Sequence, residues 1–261
     1  MPRIKSTFFR SNNGQLAKFF VDNFDLKQDG RYLIQKRESN KGTAIEIETN
    51  PASVRHKNNN IYWKVGVCMP DVAKQVELLK SKGVNVSKPS QFRDIGFLCH
   101  LQDSDGNGME LLQHTFEKNF KGPHPNNPIT IGQITIRTKS AKESLAFYRD
   151  KLGMRLLSIQ PVTPMGFTLY FFGYTDENPP DSNPEGVANR EWLWSRPFCT
   201  IEVVANDNPT EQPYCDLQPE EKGWLGIRIS CTKDEAKNKF GITTNTLLRD
   251  PNNIPVHVDI E

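Results

Sequence analysis

Ile129 to Met154 reads ITIGQITIRTKSAKESLAFYRDKLGM, Leu156 to Tyr174 reads LLSIQPVTPMGFTLYFFGY, and Arg190 to Asn206 reads REWLWSRPFCTIEVVAN. The run Ile131 to Arg137 alternates apolar and polar side chains, as a strand with two unlike faces does. Ser140 stands as a helix N-cap with Glu143 three residues on, the spacing of a capping box. Leu145, Phe147, Tyr148 and Leu152 then recur at helical spacing, and Gly153 is a natural stop. Three further apolar runs, Arg155–Gln160, Phe167–Gly173 and Phe198–Val204, predict strands. The order is strand, helix, strand, strand, strand.

The same plan recurs along the chain, and a repeat of this size outweighs any single motif. Ile4–Arg10 predicts a strand, and Gln15–Phe24 an amphipathic helix with Leu16, Phe19, Phe20 and Phe24 on one side. Tyr32–Arg37 and Thr43–Glu48 predict strands, and Asn58 to Asn60 a linker. Tyr62 to Val86, YWKVGVCMPDVAKQVELLKSKGVNV, predicts a strand and a helix begun at Pro-Asp and stopped at Gly83. Phe97 to His114, FLCHLQDSDGNGMELLQH, predicts two strands about a tight DSDGNG turn. Lys118–Asn127 is rich in Pro, Gly and Asn and reads as a linker between domains. Gly223 to Gly241 gives strand then helix once more, and Thr246 to Glu261 a closing hairpin about Asp250-Pro251-Asn252-Asn253. Asp207–Glu221 reads as an exposed connector, and Pro179 to Gly186 as a surface loop.

Composition narrows the function classes. A net charge of +2 with no long Lys/Arg block gives no nucleic-acid surface. No apolar run approaches the roughly 20 residues of a membrane helix, and the N-terminus lacks the apolar core of a signal peptide. Cys68, Cys99, Cys199, Cys215 and Cys231 are odd in number, scattered and without a CxxC pair. That predicts reduced thiols, mostly small core residues, in a cytoplasmic setting. There is no Gly-rich phosphate loop. Trp192, Trp194, Trp224 and Phe198 could line a pocket, though aromatics are more often core.

The order and spacing of QITIRTKSAKESLAFYRDKLGM, FTLYFFGY and WSRPFCTIEVVAN resemble glyoxalase I, of the vicinal-oxygen-chelate superfamily; DSDGNGMEL resembles the hairpin that closes such modules. The resemblance implies an α+β fold of four βαβββ-type modules paired into two barrel-like domains, residues 1–120 and 128–261, the last module shortened. It implies a divalent metal (zinc or nickel first, iron or manganese next) held between the first and last strands of paired modules, acting as a Lewis acid on an enediolate. In the second domain it assigns Gln133, Glu202 and His257 as ligands, with Glu202 or His257 moving the proton; strand alternation puts Asp259 on the face of His257, where it could orient the imidazole. The family's remaining histidine falls on Trp224 or Leu225, neither of which can ligate a metal. Arg137 and Asn206 take the positions that hold the γ-glutamyl end of glutathione, and a guanidinium suits a carboxylate. The partner implied is a small oxygenated substrate, a glutathione adduct among the candidates. Arg10 and Asn50 repeat the Arg137 and Asn206 pair.

In the first domain Ser6, Glu46, Lys64 and Glu110 fall on the four positions. The Lys64 ammonium is expected between Glu46 and Glu110 in place of a metal, because buried charges need pairing. Each of these side chains also has a plainer reading. His257 could only hydrogen-bond within a polar strand, and Glu202 or Lys64 could face solvent. The functional expectation is a lactoylglutathione-lyase-like enzyme. The alternatives are a small-molecule-binding protein of the same fold that has lost its metal set, and a ring-cleaving dioxygenase, which needs two histidines and a carboxylate on one iron. Four modules in one chain make a monomer feasible.

Overall fold

A computed structural model describes residues 1–35, 42–52, 54–55, 61–123, 128–206, 218 and 220–261. The first module runs β1 (Arg3–Ser11), α1 (Gln15–Asn23), β2 (Leu26–Asp29), β3 (Tyr32–Gln35) and β4 (Ala44–Thr49), followed by a short β5 (Val54–Arg55). The second runs β6 (Tyr62–Met69), α2 (Val72–Ser81), β7 (Ser90–Phe92), β8 (Gly96–Gln102) and β9 (Gly108–Gln113). The third runs β10 (Thr130–Thr138), α3 (Ala141–Leu145, continued to Lys151 by a wider turn), β11 (Arg155–Val162), β12 (Phe167–Gly173), α4 (Val187–Trp194) and β13 (Thr200–Asn206). The fourth runs β14 (Glu221–Cys231), α5 (Lys233–Glu235, continued to Phe240), β15 (Thr246–Arg249) and β16 (Pro255–Ile260). Asn58 to Asn60, the end of the first linker and most of Asp207–Glu221 lie outside the described residues. Among the described residues no helix is long and apolar enough to cross a membrane.

Local chemistry starts the helices where the sequence predicts. Asp71 accepts from Lys74 N at 2.9 Å and Ser140 from Glu143 N at 3.2 Å. The Ser140 cap is one-sided, however; the complete capping box belongs to Thr232 and Glu235. In the DSDGNG hairpin Asp103 accepts from Asp105 N and Asn107 N, and Gly106 takes φ +81°, the left-handed turn that glycine adopts without strain.

The strands form two eight-stranded sheets. The first has the order β15-β16-β14-β1-β4-β3-β2, with β5 paired to β14. The second has the order β11-β12-β13-β10-β6-β9-β8-β7. The first module therefore does not share a sheet with the second, nor the third with the fourth. β1 pairs antiparallel with β14, which joins the first and fourth modules. β10 pairs antiparallel with β6, which joins the second and third. The four-module α+β plan stands, but the expected pairing within residues 1–120 and within 128–261 gives way to an outer pair and an inner pair. The physical reason is the β10–β6 and β1–β14 ladders, which satisfy strand edges that each module would otherwise leave open.

Alternation along the central strands separates two environments. Ile134 and Ile136 of β10, Ile201 and Val203 of β13, Val65 and Val67 of β6, and Leu111 of β9 point into one apolar core. That core also takes Leu16 and Phe20 of α1, Leu79 of α2, Tyr148, and Trp224 and Ile229 of β14. The opposite face of the second sheet curves into a cup. Its walls are Ile95, Leu98, Leu112, Leu169, Phe171, Leu193 and Trp194, with α4 laid across. Trp194 Nε1 donates to Ile95 O at 2.8 Å and its ring meets Phe171 edge-on. This fixes the helix over the sheet and satisfies the one polar atom the indole buries.

Candidate functional site

The floor of that cup is polar. Gln133 and Thr135 of β10, Glu202 of β13, Lys64 of β6 and Glu110 of β9 all alternate onto it, and all are buried. Lys64 Nζ donates to Glu110 Oε1 at 2.5 Å. Gln133 Nε2 donates both to Glu110 Oε2, at 2.7 Å, and to Glu202 Oε2, at 3.0 Å. Thr135 donates its hydroxyl to Glu202 in a short bond. His100 Nε2, from β8, sits 3.0 Å from Glu110 Oε1 and reaches solvent on its other side. Gln133 can lie flat across β6 because its cross-strand partner is Gly66. A Cβ there would stand 2.1 Å from Gln133 Cγ.

Burial and charge divide the two carboxyl groups. Burial alone raises the Glu110 pKa, but Lys64 and His100 outweigh it and hold the group below the usual carboxylate range. Glu202 goes the other way. Burial raises it, the Lys64 charge offsets only part, and the Glu110 charge adds to the rise. Burial pulls the Lys64 ammonium down, but Glu110 and then Glu202 prevail and it stands above the ordinary lysine value. The floor thus carries a fixed ion pair, Lys64–Glu110, beside a carboxyl whose proton is held more tightly than usual. Environments that push two carboxyl groups apart in this way mark acid–base sites.

Above the floor lies a cavity of about 130 Å³ between Trp63, Phe92, Met165, Phe167, Phe171 and Trp194. Trp63, Lys64 and His100 also border a groove of about 960 Å³. The groove runs past Arg137, Asp103, Lys222 and Trp224. The Arg137 guanidinium lies 4.8 Å over the Trp63 ring, and Lys222 pairs with Asp105 at 2.8 Å. Asn206 ends β13, opposite Phe167.

The expected metal set is not assembled. Gln133 and Glu202 meet in the second sheet, whereas His257 lies on β16 of the first. There its ring packs edge-on to Phe8 at 5.2 Å, and burial with the nearby Arg228 charge lowers its pKa. Asp259, expected to orient His257, instead accepts from Arg228 NH1 at 3.1 Å. Arg228 also donates to Glu46 at 2.9 Å, and Ser6 donates to the same carboxylate at 3.0 Å. Lys64 therefore does not bridge Glu46 and Glu110. It joins Glu110 and faces Glu202, and Glu46 has Arg228. Gln133 and Glu202 thus lie with Lys64 and Glu110 in the second sheet, and Ser6 and Glu46 with His257 in the first, so the two halves exchange partners.

A divalent cation at the cup floor would need oxygen and nitrogen donors converging on it. Among the described residues no three of His, Cys, Asp or Glu converge in that way. Gln133 turns its amide nitrogen, not its oxygen, towards both carboxylates, and an ammonium already lies against Glu110. The residues of the cup floor do not fit a metal, and among the described residues the two-histidine iron set of a ring-cleaving dioxygenase is not brought together either. The four described cysteines are unbridged and buried, with raised pKa values: burial brings Cys99 to about 12 and Cys68 well above the ordinary thiol. None is an activated nucleophile.

Thr135, His100 and Gly66 of this cup, and Arg228 of the first sheet, are residues that sequence reasoning did not single out. His100 was legible. It pairs directly with Glu110 across the DSDGNG hairpin, the two being equidistant from Asp105. Gly66 carried no signal beyond its place in an apolar strand.

Comparison with known proteins gives a consistent answer. The model of the glyoxalase/bleomycin resistance protein/dioxygenase superfamily matches residues 130–188. Glyoxalase I of Saccharomyces cerevisiae is 33% identical over 169 residues, covering 62% of this chain and 46% of that protein. A probable chloroplastic lactoylglutathione lyase of Arabidopsis thaliana is 30% identical over 136 residues, 51% of this chain and 36% of that one. The chain thus spans less than half the length of these curated relatives. Glyoxalase I from Zea mays shares the fold over 100% of this chain and 92% of its own, with a TM-score of 0.72 at 18% identity. By its matched segment and its sequence relatives the chain is similar to members of the glyoxalase/bleomycin resistance protein/dioxygenase superfamily, and it shares the fold of glyoxalase I.

Proposed function

We propose that this protein is a glyoxalase I-like isomerase of the lactoylglutathione lyase type, working in the cup of the second sheet on the thiohemiacetal of a small 2-oxoaldehyde. The observation that carries the reading is the divided pair of carboxyl groups, Glu110 locked to Lys64 and Glu202 with a raised pKa, at the floor of a small apolar cavity. Glu202, in its ionised form, takes the proton from the carbon that bears sulfur. The electron pair moves into an enediolate whose oxygens face the Lys64 ammonium and the Gln133 amide. Glu202 then returns the proton to the neighbouring carbon, and the hydroxyl proton passes from the oxygen on the sulfur-bearing carbon to the other oxygen, which leaves a 2-hydroxy thioester. A carboxyl with a raised pKa is the stronger base for this task, and a fixed ammonium in a buried site stabilises developing negative charge without reorganisation.

The cavity matches the small carbon body of such a substrate, and the adjoining groove gives room for the thiol carrier. Arg137 and Asn206 would anchor a carboxylate-bearing carrier such as glutathione, Arg137 from the groove wall. Both cups are completed within one chain, which supports a working monomer. The four described cysteines, unbridged and buried, support a reducing, cytoplasmic setting.

A second reading has an observation of its own. Lys64, Glu110 and Gln133 already hold one another, which suits a cup that binds a small molecule without turning it over. Formation of the thioester, followed by absorbance, separates the two. The isomerase reading expects turnover that falls by about 100-fold or more in Glu202→Gln, the usual scale for losing a general base, with product binding kept. Binding of the product by calorimetry with no turnover at any pH would sink the isomerase and leave the binding protein.

A further inference from the structure

We propose that both cups of this protein carry a side-chain cation where a divalent metal would sit, and that Lys64 is what keeps a metal out of the second sheet. The inference stands apart from the isomerase reading, since it holds for an enzyme or a binding protein.

Two buried carboxylates, Glu110 and Glu202, converge on one amide nitrogen, that of Gln133. Such a pair needs positive charge close by, because neither can be left in an apolar interior uncompensated. Lys64 supplies it at 2.5 Å from Glu110. The ammonium has three donors and no lone pair, so it satisfies carboxylates and cannot share them with a metal. The Gln133 amide follows suit. Its nitrogen faces the carboxylates, and its oxygen, which a metal would attract, is buried and makes no protein hydrogen bond. The first sheet solves the same problem with a different residue. Arg228, entering from β14, bridges Glu46 and Asp259, while Ser6 donates to Glu46. Arg31 adds a second guanidinium 3.1 Å from Glu46. Two cups related by the internal repeat thus reach charge balance through unrelated cations, one a lysine on β6 and one an arginine on β14.

Replacing Lys64 by histidine removes the charge and adds a nitrogen ligand beside Glu110, Glu202 and the Gln133 oxygen. Carboxylates and an imidazole on adjoining strands form a donor set that zinc and cobalt accept. The test compares the full-length chain with Lys64→His and with the double variant Lys64→His/Glu202→Gln. Each is incubated with cobalt(II) or zinc(II) and freed of excess; elemental analysis gives the metal content and visible absorption the cobalt geometry. The expected result is no stoichiometric metal in the unmodified protein, near-stoichiometric tetrahedral cobalt in Lys64→His, and its loss in the double variant. Stoichiometric metal in the unmodified protein that disappears in Glu202→Gln would overturn the proposal. So would a folded Lys64→His that binds none, since Lys64 would then not be the excluding group. Thermal melting of the unmodified protein keeps the question open to refutation even if the variants do not fold. A ligand of the native state raises the midpoint, so zinc should leave it unmoved, and a rise abolished by Glu202→Gln contradicts the proposal.

Discussion

Replacing Lys64 by methionine tests the charge balance of the cup in isolation. Lys64 and Glu110 are both buried and 2.5 Å apart. At an effective dielectric of about 20 their attraction is on the order of 7 kcal/mol, and taking two ions out of water offsets most of it. The pair is then near neutral for stability, but half of it is not. Lys64→Met leaves Glu110 with Gln133 and His100 against a second carboxyl, Glu202. The expected loss is about 3–5 kcal/mol, the usual cost of breaking a buried pair. For a chain of this size that is a fall of roughly 6–20 °C in midpoint. The double variant Lys64→Met/Glu110→Gln should recover most of it, so that a double-mutant cycle returns a coupling of about 2 kcal/mol or more. The pH dependence follows. Glu110 is held below the carboxylate range when Lys64 is present, so its contribution is complete above the unfolded carboxylate pKa and lost as pH falls through the folded one. Without Lys64 the group can take a proton, and the deficit shrinks between pH 7.5 and pH 5. Urea denaturation at the two pH values measures both effects. A loss below about 1 kcal/mol at pH 7.5, the scale of an exposed pair, would refute the reasoning.

Further outcomes follow from other parts of the molecule. Gly66→Ala puts a Cβ onto Gln133; it should cost about 1–3 kcal/mol as overpacking and weaken ligand binding, read by denaturation and calorimetry. His114 is buried with its pKa lowered to about 4, so it folds neutral and its contribution is lost as pH falls from the unfolded value near 6.5 towards 4. That is about 3 kcal/mol of acid sensitivity, which His114→Gln should remove. Asp103, raised to about 6 chiefly by burial, acts in the opposite sense over much of the same window, so the comparison is between variant and parent in one titration. Arg228→Met strips Glu46 and Asp259 of their shared partner. Because Arg228 is partly exposed, a loss of roughly 2–3 kcal/mol is expected rather than the full buried value, with kcat of the folded protein unchanged.

Much of the fold was readable because each module repeats one alternation. Gln133 and Thr135 against Ile134 and Ile136, or Glu202 against Ile201 and Val203, assign faces by period two, and the faces agree with the structure. The resemblance to glyoxalase I, not the alternation, put Ser6, Glu46, Lys64, Glu110 and His257 on cup positions. What alternation does not encode is which module completes which sheet. That is decided by the β1–β14 and β10–β6 ladders, contacts between strands far apart in sequence whose edges look alike one at a time. Hence Lys64 and Glu110 came out with the wrong carboxylate for company, and His257 with ligands it does not meet. The capping box was misread for a local reason: Ser-x-x-Glu occurs at Ser140, but the reciprocal bond forms at Thr232.

If Glu202 and Lys64 together carry out the proposed isomerisation, the reaction needs no metal. The most direct test is thioester formation from a 2-oxoaldehyde–glutathione thiohemiacetal by protein held in excess chelator. Turnover is expected to persist under chelation and to vanish in Glu202→Gln. Turnover absent in chelator and restored by added zinc or nickel would contradict the proposal.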